Sequence, residues 1–298
     1  MRLVRWVASR GWAALRSRAT GLGLAAAALA LAATPAALAE QAHDWQLGMQ
    51  PAASPVRDAI DSLHDELLVI ITLITLFVLG LLLYVILRFR ASVHPTASQT
   101  THNTLLELLW TTVPILILVI IAIPSFKLLY FVGGTPHADL TLKVTGHQWY
   151  WSYEYPDNKD VSFDSAFVET KDLKPGQPRL LTVDNPVVLP VGAKVRILVT
   201  STDVIHSWFV PSMGVQEYAI IGRTNESWME VERPGTYYGQ CNQICGLNHP
   251  FMPIEIKGVS KENFEKWVAD PKMKFAANGD PLPAQLVADA GRHSPQAQ

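Results

Sequence analysis

The sequence predicts a two-helix transmembrane hairpin followed by an all-β domain. Three observations predict it: two uncharged apolar runs of membrane-spanning length, a basic Ala-rich leader before them, and a change from helical to alternating hydrophobic period after Asp139. Composition agrees, since 49% of the 298 residues are hydrophobic and only 17% are charged, the mixture expected of membrane segments joined to a globular part.

Residues 1–39 carry Arg2, Arg5, Arg10, Arg16 and Arg18 and no acid, then the run "GLGLAAAALALAA", and end in "ALA" at Ala39. A basic start, a short apolar core and an A-x-A site are the build of a secretory signal peptide. A first transmembrane helix is the competing reading, but this core is short, Ala-rich and closed by Pro35. Removing the leader takes five basic residues and no acid from totals of 24 and 26, so 19 basic residues face 26 acidic ones and the mature chain is acidic. An exported segment, 40–66, then leads to the first span.

That span, "LLVIITLITLFVLGLLLYVIL" at 67–87, has no charge over 21 residues. At about 1.5 Å per residue it crosses a hydrocarbon core of about 30 Å. The second span, 105–131, is centred on "LLWTTVPILILVIIAIPSF" from Leu108 to Phe126. Pro114 and Pro124 are tolerable there because neighbouring helices can satisfy the carbonyls they free. The connector 88–104 holds Arg88 and Arg90 and no acid, whereas Asp58, Asp61, Asp65 and Glu66 precede the first span. The positive-inside rule therefore places the connector in the cytoplasm and both termini outside. A signal peptide demands the same orientation.

In the external domain, 132–270, the stretches "DLTLKVTGHQWYWSYEY", "PRLLTVD", "AKVRILVT", "ESWMEVE", "GTYYGQ" and "MPIEIKG" alternate as strands do. Gly and Pro punctuate the gaps in "LKPGQP", "LPVG" and "ERPG". Short strands at this spacing imply an antiparallel sandwich or barrel. One short helix, "SKENFEKWVAD", is expected with Ser260 as its cap, and residues 271–298, rich in Ala and Pro, read as a mobile tail.

Both cysteines of the chain fall in "GQCNQICGLNHPFMPI", residues 239–254. In an exported protein two cysteines first suggest a disulfide. Here, however, Cys241 and Cys245 are followed by His249 and Met252, and an earlier histidine, His206, sits in "STDVIHSWFVPS". Thiolate, imidazole and thioether together suit copper, and a loop supplying all three marks an electron-transfer site. One cysteine would make a mononuclear site, while two allow thiolates to bridge two coppers that share a transferred electron. Structural zinc is a further alternative, but it rarely recruits methionine and has its own ligand spacings.

The same stretch resembles the copper A loop of subunit II of the haem-copper cytochrome c oxidases. "GHQWYWSYEY" at 146–155, "DNPVVLPVG" at 184–192 and "DVIHSWFVPS" at 203–212 resemble the remaining signatures of that family, over about residues 55–270. The resemblance implies a cupredoxin-like Greek-key domain in the periplasm of a bacterial inner membrane. It makes Cys241 and Cys245 the bridging thiolates of two copper ions, His206 and His249 the imidazole ligands, Met252 the axial thioether and the Gln243 carbonyl the axial oxygen. It implies as partners subunit I, which carries haem and copper B, subunit III, cytochrome c and the lipid bilayer, but no nucleic acid.

Two departures stand out. The family usually has Glu at position 243, whose carboxylate reaches a magnesium or manganese ion shared with subunit I, and here the residue is Gln. Hard divalent ions favour carboxylates, so a weakened or altered site for that ion is expected beside an intact copper site. In "VQEYAIIGR", 215–223, Gln216, Tyr218 and Ile221 stand where relatives commonly have Lys, Asp and Pro.

The resemblance also makes Trp149 the point where electrons arrive, with Trp151 suited to the core. After Phe131, 15 Lys and Arg stand against 19 Asp and Glu, and an acidic face would speed the encounter with a lysine-ringed cytochrome c. Glu154, Asp157, Asp160, Asp164 and Asp203 are candidate docking acids, although Lys159 interrupts the cluster. Glu107, at the cytoplasmic start of the second span, matches an acid at the mouth of a proton channel in subunit I; an interfacial anchor is the plainer reading. Three rival functions are a quinol oxidase subunit, a free-standing membrane-anchored copper carrier and a disulfide-stapled binding module.

Overall fold

The computed structural model describes residues 41–158, 161–275 and 279–282. The expected signal peptide, Lys159, Asp160 and residues 283–298 of the expected tail lie outside the described residues.

The first helix, α1 (Pro55–Arg88), starts where Ser54 accepts a hydrogen bond from the Arg57 N–H and Pro55 occupies the first turn, both ordinary starting signals. The second, α2 (Thr104–Gly133), is capped by the Asn103 side chain, which accepts from the Leu106 N–H at 3.2 Å. Both are long and apolar enough to cross a membrane. Residues 71–90 are all exposed, so none of the described residues covers them, and a helix that is apolar all round belongs in lipid or against a partner.

Ten strands and a short helix follow: β1 (Leu140–His147), β2 (Tyr150–Tyr155), β3 (Val161–Ser165), β4 (Val187–Pro190), β5 (Lys194–Ser201), β6 (His206–Val210), β7 (Val215–Ala219), β8 (Asn225–Glu230), β9 (Gly235–Cys241), β10 (Pro253–Val259) and α3 (Lys261–Ala269). They form two five-stranded sheets, β3-β2-β1-β5-β8 and β4-β10-β9-β6-β7. Trp151, Tyr153, Ile197, Trp208, Tyr237 and Ile254 are among the fully covered side chains of the core between them. α3 closes one edge with Phe264 and Trp267, and Ser260 caps it as expected.

The sheets are mixed where the alternation suggested antiparallel pairing. β1 runs parallel to β5 and β4 parallel to β10, because each pair is joined by a long crossover instead of a hairpin. "PRLLTVD" is not a strand. Leu180 adopts φ +66, which interrupts an extended run, and the Leu180 carbonyl and Val183 N–H bond to the side chains of Gln240 and Glu255. Residues 271–275 continue along the domain, where Phe275 is buried and bridges Pro281.

The N-terminal end of α1 is locked into the β domain. The Ala53 N–H donates to the Ser212 carbonyl at 2.9 Å, and the Ser54 hydroxyl to the Met213 carbonyl at 2.6 Å. Arg57, 6% exposed, donates to the carbonyls of Pro211 at 2.8 Å and Gln50 at 3.2 Å and pairs with Asp61. Gly214 makes this approach possible, since its φ is +66 and a Cβ there would lie 3.0 Å from the Arg57 Cα. Gly214→Ala is expected to lower the unfolding free energy by at least about 1–2 kcal/mol, the cost of a left-handed non-glycine residue. Unchanged thermal unfolding of the full-length protein in detergent would contradict this packing.

Candidate metal centre

The pairing of β9 with β10 brings the cysteine loop to one end of the sandwich. Gln240 faces Pro253, and the Cys241 N–H donates to the Met252 carbonyl at 3.2 Å, so residues 242–252 form a loop closed at its base. β6 lies on the other side of β9 with Trp208 opposite Cys241. Directly paired residues share a sheet face, and so do residues two apart. His206 therefore points from the same face toward the loop.

The two cysteine sulfurs are 3.9 Å apart. A disulfide would need about 2.05 Å, and both thiols are free. His249 Nδ1 lies 3.4 Å and Met252 Sδ 3.5 Å from Cys245 Sγ, while the Gln243 carbonyl lies 3.3 Å from Cys241 Sγ. His206, fully buried, joins the two cysteines in a group whose donor atoms all lie within 4.8 Å of one another. The structure thus gathers all six candidate donors at one place.

Supporting contacts fix their orientation. His206 Nε2 bonds to Asp203 Oδ1 at 2.8 Å, which leaves Nδ1 as the free donor of the ring. That atom is buried and has no hydrogen-bond partner. Asp203 also accepts from the backbone N–H groups of Gln148 and Val204, each at 2.6 Å. Carboxylates placed behind ligand imidazoles in this way set the tautomer and raise basicity.

Burial resists ionisation of Cys241, but the neighbouring His206 imidazole and the backbone at Ser207 and Gln243 outweigh it and hold this thiol below its ordinary value. Burial, reinforced by the negative charge on Cys241, pushes Cys245 upward. His206 is displaced upward: burial opposes its charge, but Cys241 and Asp203 together prevail. Ligand thiols and imidazoles bind a metal in their deprotonated forms, so a bound cation would displace the protons these groups carry. Two thiols, two imidazoles, a thioether and a carbonyl form a soft donor set that fits copper. The orphaned His206 nitrogen is the atom such an ion would satisfy.

The other predicted residues surround this centre at different ranges. Trp151 is fully buried, stands edge-on to His206 with ring centroids 5.9 Å apart, and donates from Nε1 to the Met252 carbonyl. Trp149 is half-buried in the turn between β1 and β2, where the Gln148–Trp149 peptide is cis. Its indole packs on Gly246 of the cysteine loop: a Cβ there would sit 3.0 Å from Trp149 Cζ2, and Gly246 has φ +127. An open depression of about 590 Å³ flanks Trp149, lined by Phe167, Phe251, Asn248, Glu169 and Lys171.

Glu154 pairs with Lys143 at 2.8 Å, Asp157 accepts from the Thr141 N–H, and Asp164 accepts from Ser152 beside Trp151. Asp203, grouped by sequence with these surface acids, is committed to His206. Glu107 lies far from the centre in the first turn of α2, where it accepts from the Asn103 N–H at 3.3 Å. Sequence reasoning missed Gln148, whose Nε2 donates to the Cys245 carbonyl at 2.8 Å. The spacing Asp203-x-x-His206 was the one signal that could have revealed the supporting carboxylate.

Comparison with known proteins places these features in context. Residues 42–128 match the family described as "Cytochrome C oxidase subunit II, transmembrane domain", and residues 140–259 match "Cytochrome C oxidase subunit II, periplasmic domain". The chain is 53% identical over 236 residues to the probable cytochrome c oxidase subunit 2 of Rickettsia bellii (strain RML369-C), covering 79% of this chain and 87% of that one. It is 47% identical over 240 residues to cytochrome c oxidase subunit 2 of Oenothera berteroana, covering 78% and 93%. A crystal structure of the periplasmic domain of subunit II of cytochrome oxidase of Bradyrhizobium japonicum shares 49% identity over 46% of this chain and 95% of that one, with a TM-score of 0.43.

Asp203→Asn keeps the shape of the side chain but removes the charge behind His206. It is expected to weaken copper binding by about 10–100-fold, the usual cost of losing such a partner. Copper competition against a chelator, with the full-length protein, measures this; equal affinity would show that Asp203 serves only the turn.

Proposed function

The chain belongs to the subunit II family of the haem-copper cytochrome c oxidases, the membrane-anchored subunit of an oxidoreductase complex, and on that premise we propose that it is the subunit through which electrons enter. In this reading it accepts electrons from cytochrome c at a binuclear copper A centre and passes them to haem in subunit I, where oxygen is reduced to water with proton pumping. The observation that carries the proposal is the pair of free thiols 3.9 Å apart with four further donors around them. Two coppers held by these donors would supply one-electron storage.

The chain's own residues do the rest. The Cys241 and Cys245 thiolates, the His206 and His249 imidazoles, the Met252 thioether and the Gln243 carbonyl would together hold the two coppers. Trp149 receives the electron, and the Gln148 bond to the Cys245 carbonyl keeps its ring seated on Gly246. The depression beside it offers a docking protein a mixed lining of aromatic and polar side chains, and Glu154, Asp157, Asp160 and Asp164 supply negative charge for a basic one. Asp203 contributes charge near the same face while its oxygens are engaged. Glu107 at the inner end of α2 serves proton uptake at the subunit I boundary. Subunit III completes the complex, and the basic connector sets a cytoplasmic loop with both termini in the periplasm of a bacterial inner membrane.

The full side-chain donor set speaks against a quinol oxidase subunit, which has no use for it. Two spans exceed what a tethered copper carrier needs. Free cysteines at this separation leave a disulfide-stapled module without its staple.

Full-length protein loaded with copper is expected to bind two ions per chain and to show a seven-line hyperfine pattern, the signature of one electron shared between two equivalent copper nuclei. A single copper with a localised spectrum would overturn the binuclear reading. Trp149→Phe in the assembled complex should slow reduction by cytochrome c by more than about tenfold, or ~1.4 kcal/mol of barrier, with copper content unchanged; an unaltered rate would remove Trp149 from the path. Bound manganese in the complex should be low, because Gln243 offers a neutral oxygen where a carboxylate would hold a hard ion. Full occupancy held by Gln243 would refute that assignment.

A further inference from the structure

A second cavity lies away from the metal centre, where the outer ends of the two helices meet the β domain. It measures about 470 Å³ and is lined by Pro55 of α1, Tyr130 and Phe131 of α2, and Lys194, Trp228 and Glu230 of the β domain. The Trp228 Nε1–H donates to the Phe131 carbonyl at 3.1 Å, and the two rings meet edge to face at 5.4 Å. This fixes one wall.

The cavity has the depth of a lipid headgroup. Tyr130 stands one turn, about 6 Å, beyond Phe126, the end of the uncharged run, and headgroup regions extend roughly that far past the hydrocarbon core. Tyr130 is 77% exposed and Phe131 41%, the position that aromatic residues take at a membrane–water boundary.

Its two charges are arranged as a complementary pair. Lys194 and Glu230 face each other across β5 and β8, so their side chains leave the same sheet face about 5 Å apart. Both line the cavity, yet they form no ion pair with each other, in contrast to Arg196 and Glu226, diagonal neighbours on the same two strands, which do. A ligand carrying an anion and a cation at similar separation would satisfy both at once. Lys127, three and four residues before Tyr130 and Phe131 and so on their face of α2, adds a second cation below, and its ammonium can reach up toward a phosphate layer.

We infer that this cavity binds the headgroup of one phospholipid with a primary amine, of the phosphatidylethanolamine class, its phosphate facing Lys194 and its ammonium donating to Glu230. The acyl chains then lie along the exposed apolar flank of α2 below Phe131. A quaternary trimethylammonium cannot donate hydrogen bonds to Glu230, and a purely anionic headgroup would leave that carboxylate facing negative charge. Both are therefore disfavoured.

The test uses full-length protein in nanodiscs of equal parts phosphatidylethanolamine, phosphatidylcholine and phosphatidylglycerol, released into native mass spectrometry. One phosphatidylethanolamine should be retained per chain. Glu230→Gln should reduce its retention over phosphatidylcholine by at least about tenfold, the loss of one charge-assisted hydrogen bond. Lys194→Glu should abolish retention of all three, and the double exchange K194E/E230K should restore it. Wild-type protein that retains no lipid, or that prefers phosphatidylglycerol or phosphatidylcholine, overturns the assignment without reference to any variant. Variants that bind copper normally and keep the wild-type lipid pattern overturn it as well.

Discussion

The metal centre depends first on the register of β6 against β9. Trp208 lies opposite Cys241, and this pairing brings His206 across from a loop that is otherwise local in sequence. A slip of one residue would turn His206 to the other face of the sheet. What prevents the slip is apolar burial: Trp208 and Val210 are fully covered, and the Trp208 Nε1–H reaches the Tyr153 hydroxyl at 3.3 Å. Withdrawing side chains of this size from water contributes about 1.5–3 kcal/mol each, so hydrophobic packing positions a residue whose own chemistry is polar.

The sheet opposite completes the arrangement from the β1–β2 turn. Gln148 spans both halves of the support, since its N–H donates to Asp203 and its side chain to the Cys245 carbonyl. Asp203 in turn holds His206, and Trp151 closes the rear of the site against the Met252 carbonyl. Donor atoms held this way before any ion arrives need little movement when one binds or changes charge. The close approach of Trp149 to the loop requires Gly246, because a side chain there would push the indole outward.

How far the sequence could be read follows from how local each feature is. The membrane helices rest on hydropathy summed over twenty or more residues, and five of the six donors lie between positions 241 and 252, so both were legible. β5, β8, β9 and β10 showed themselves in the alternating stretches. β4 and β6 did not, because at four and five residues, with no position of either exposed, they are too short for an alternation to stand out. "PRLLTVD" alternates but is held by side chains of Gln240 and Glu255, a tertiary circumstance absent from the local pattern. Asp203 looked like a surface acid for the same reason: only the fold shows that its oxygens face His206.

In the proposed role, the attachment of the β domain to the helices bears on electron transfer as much as the site does. A domain carried on one flexible linker would sample many heights above the membrane. Here there are two attachments, one from Ala53, Ser54 and Arg57 to the turn that follows β6, the other from Trp228 to the end of α2. The first is a single strand away from His206, about 13 Å at 3.3 Å per residue. Because electron transfer weakens steeply with distance, a metal centre tied this closely to its membrane anchor keeps its separation from any acceptor held by a partner in the bilayer, and the fold itself sets that separation.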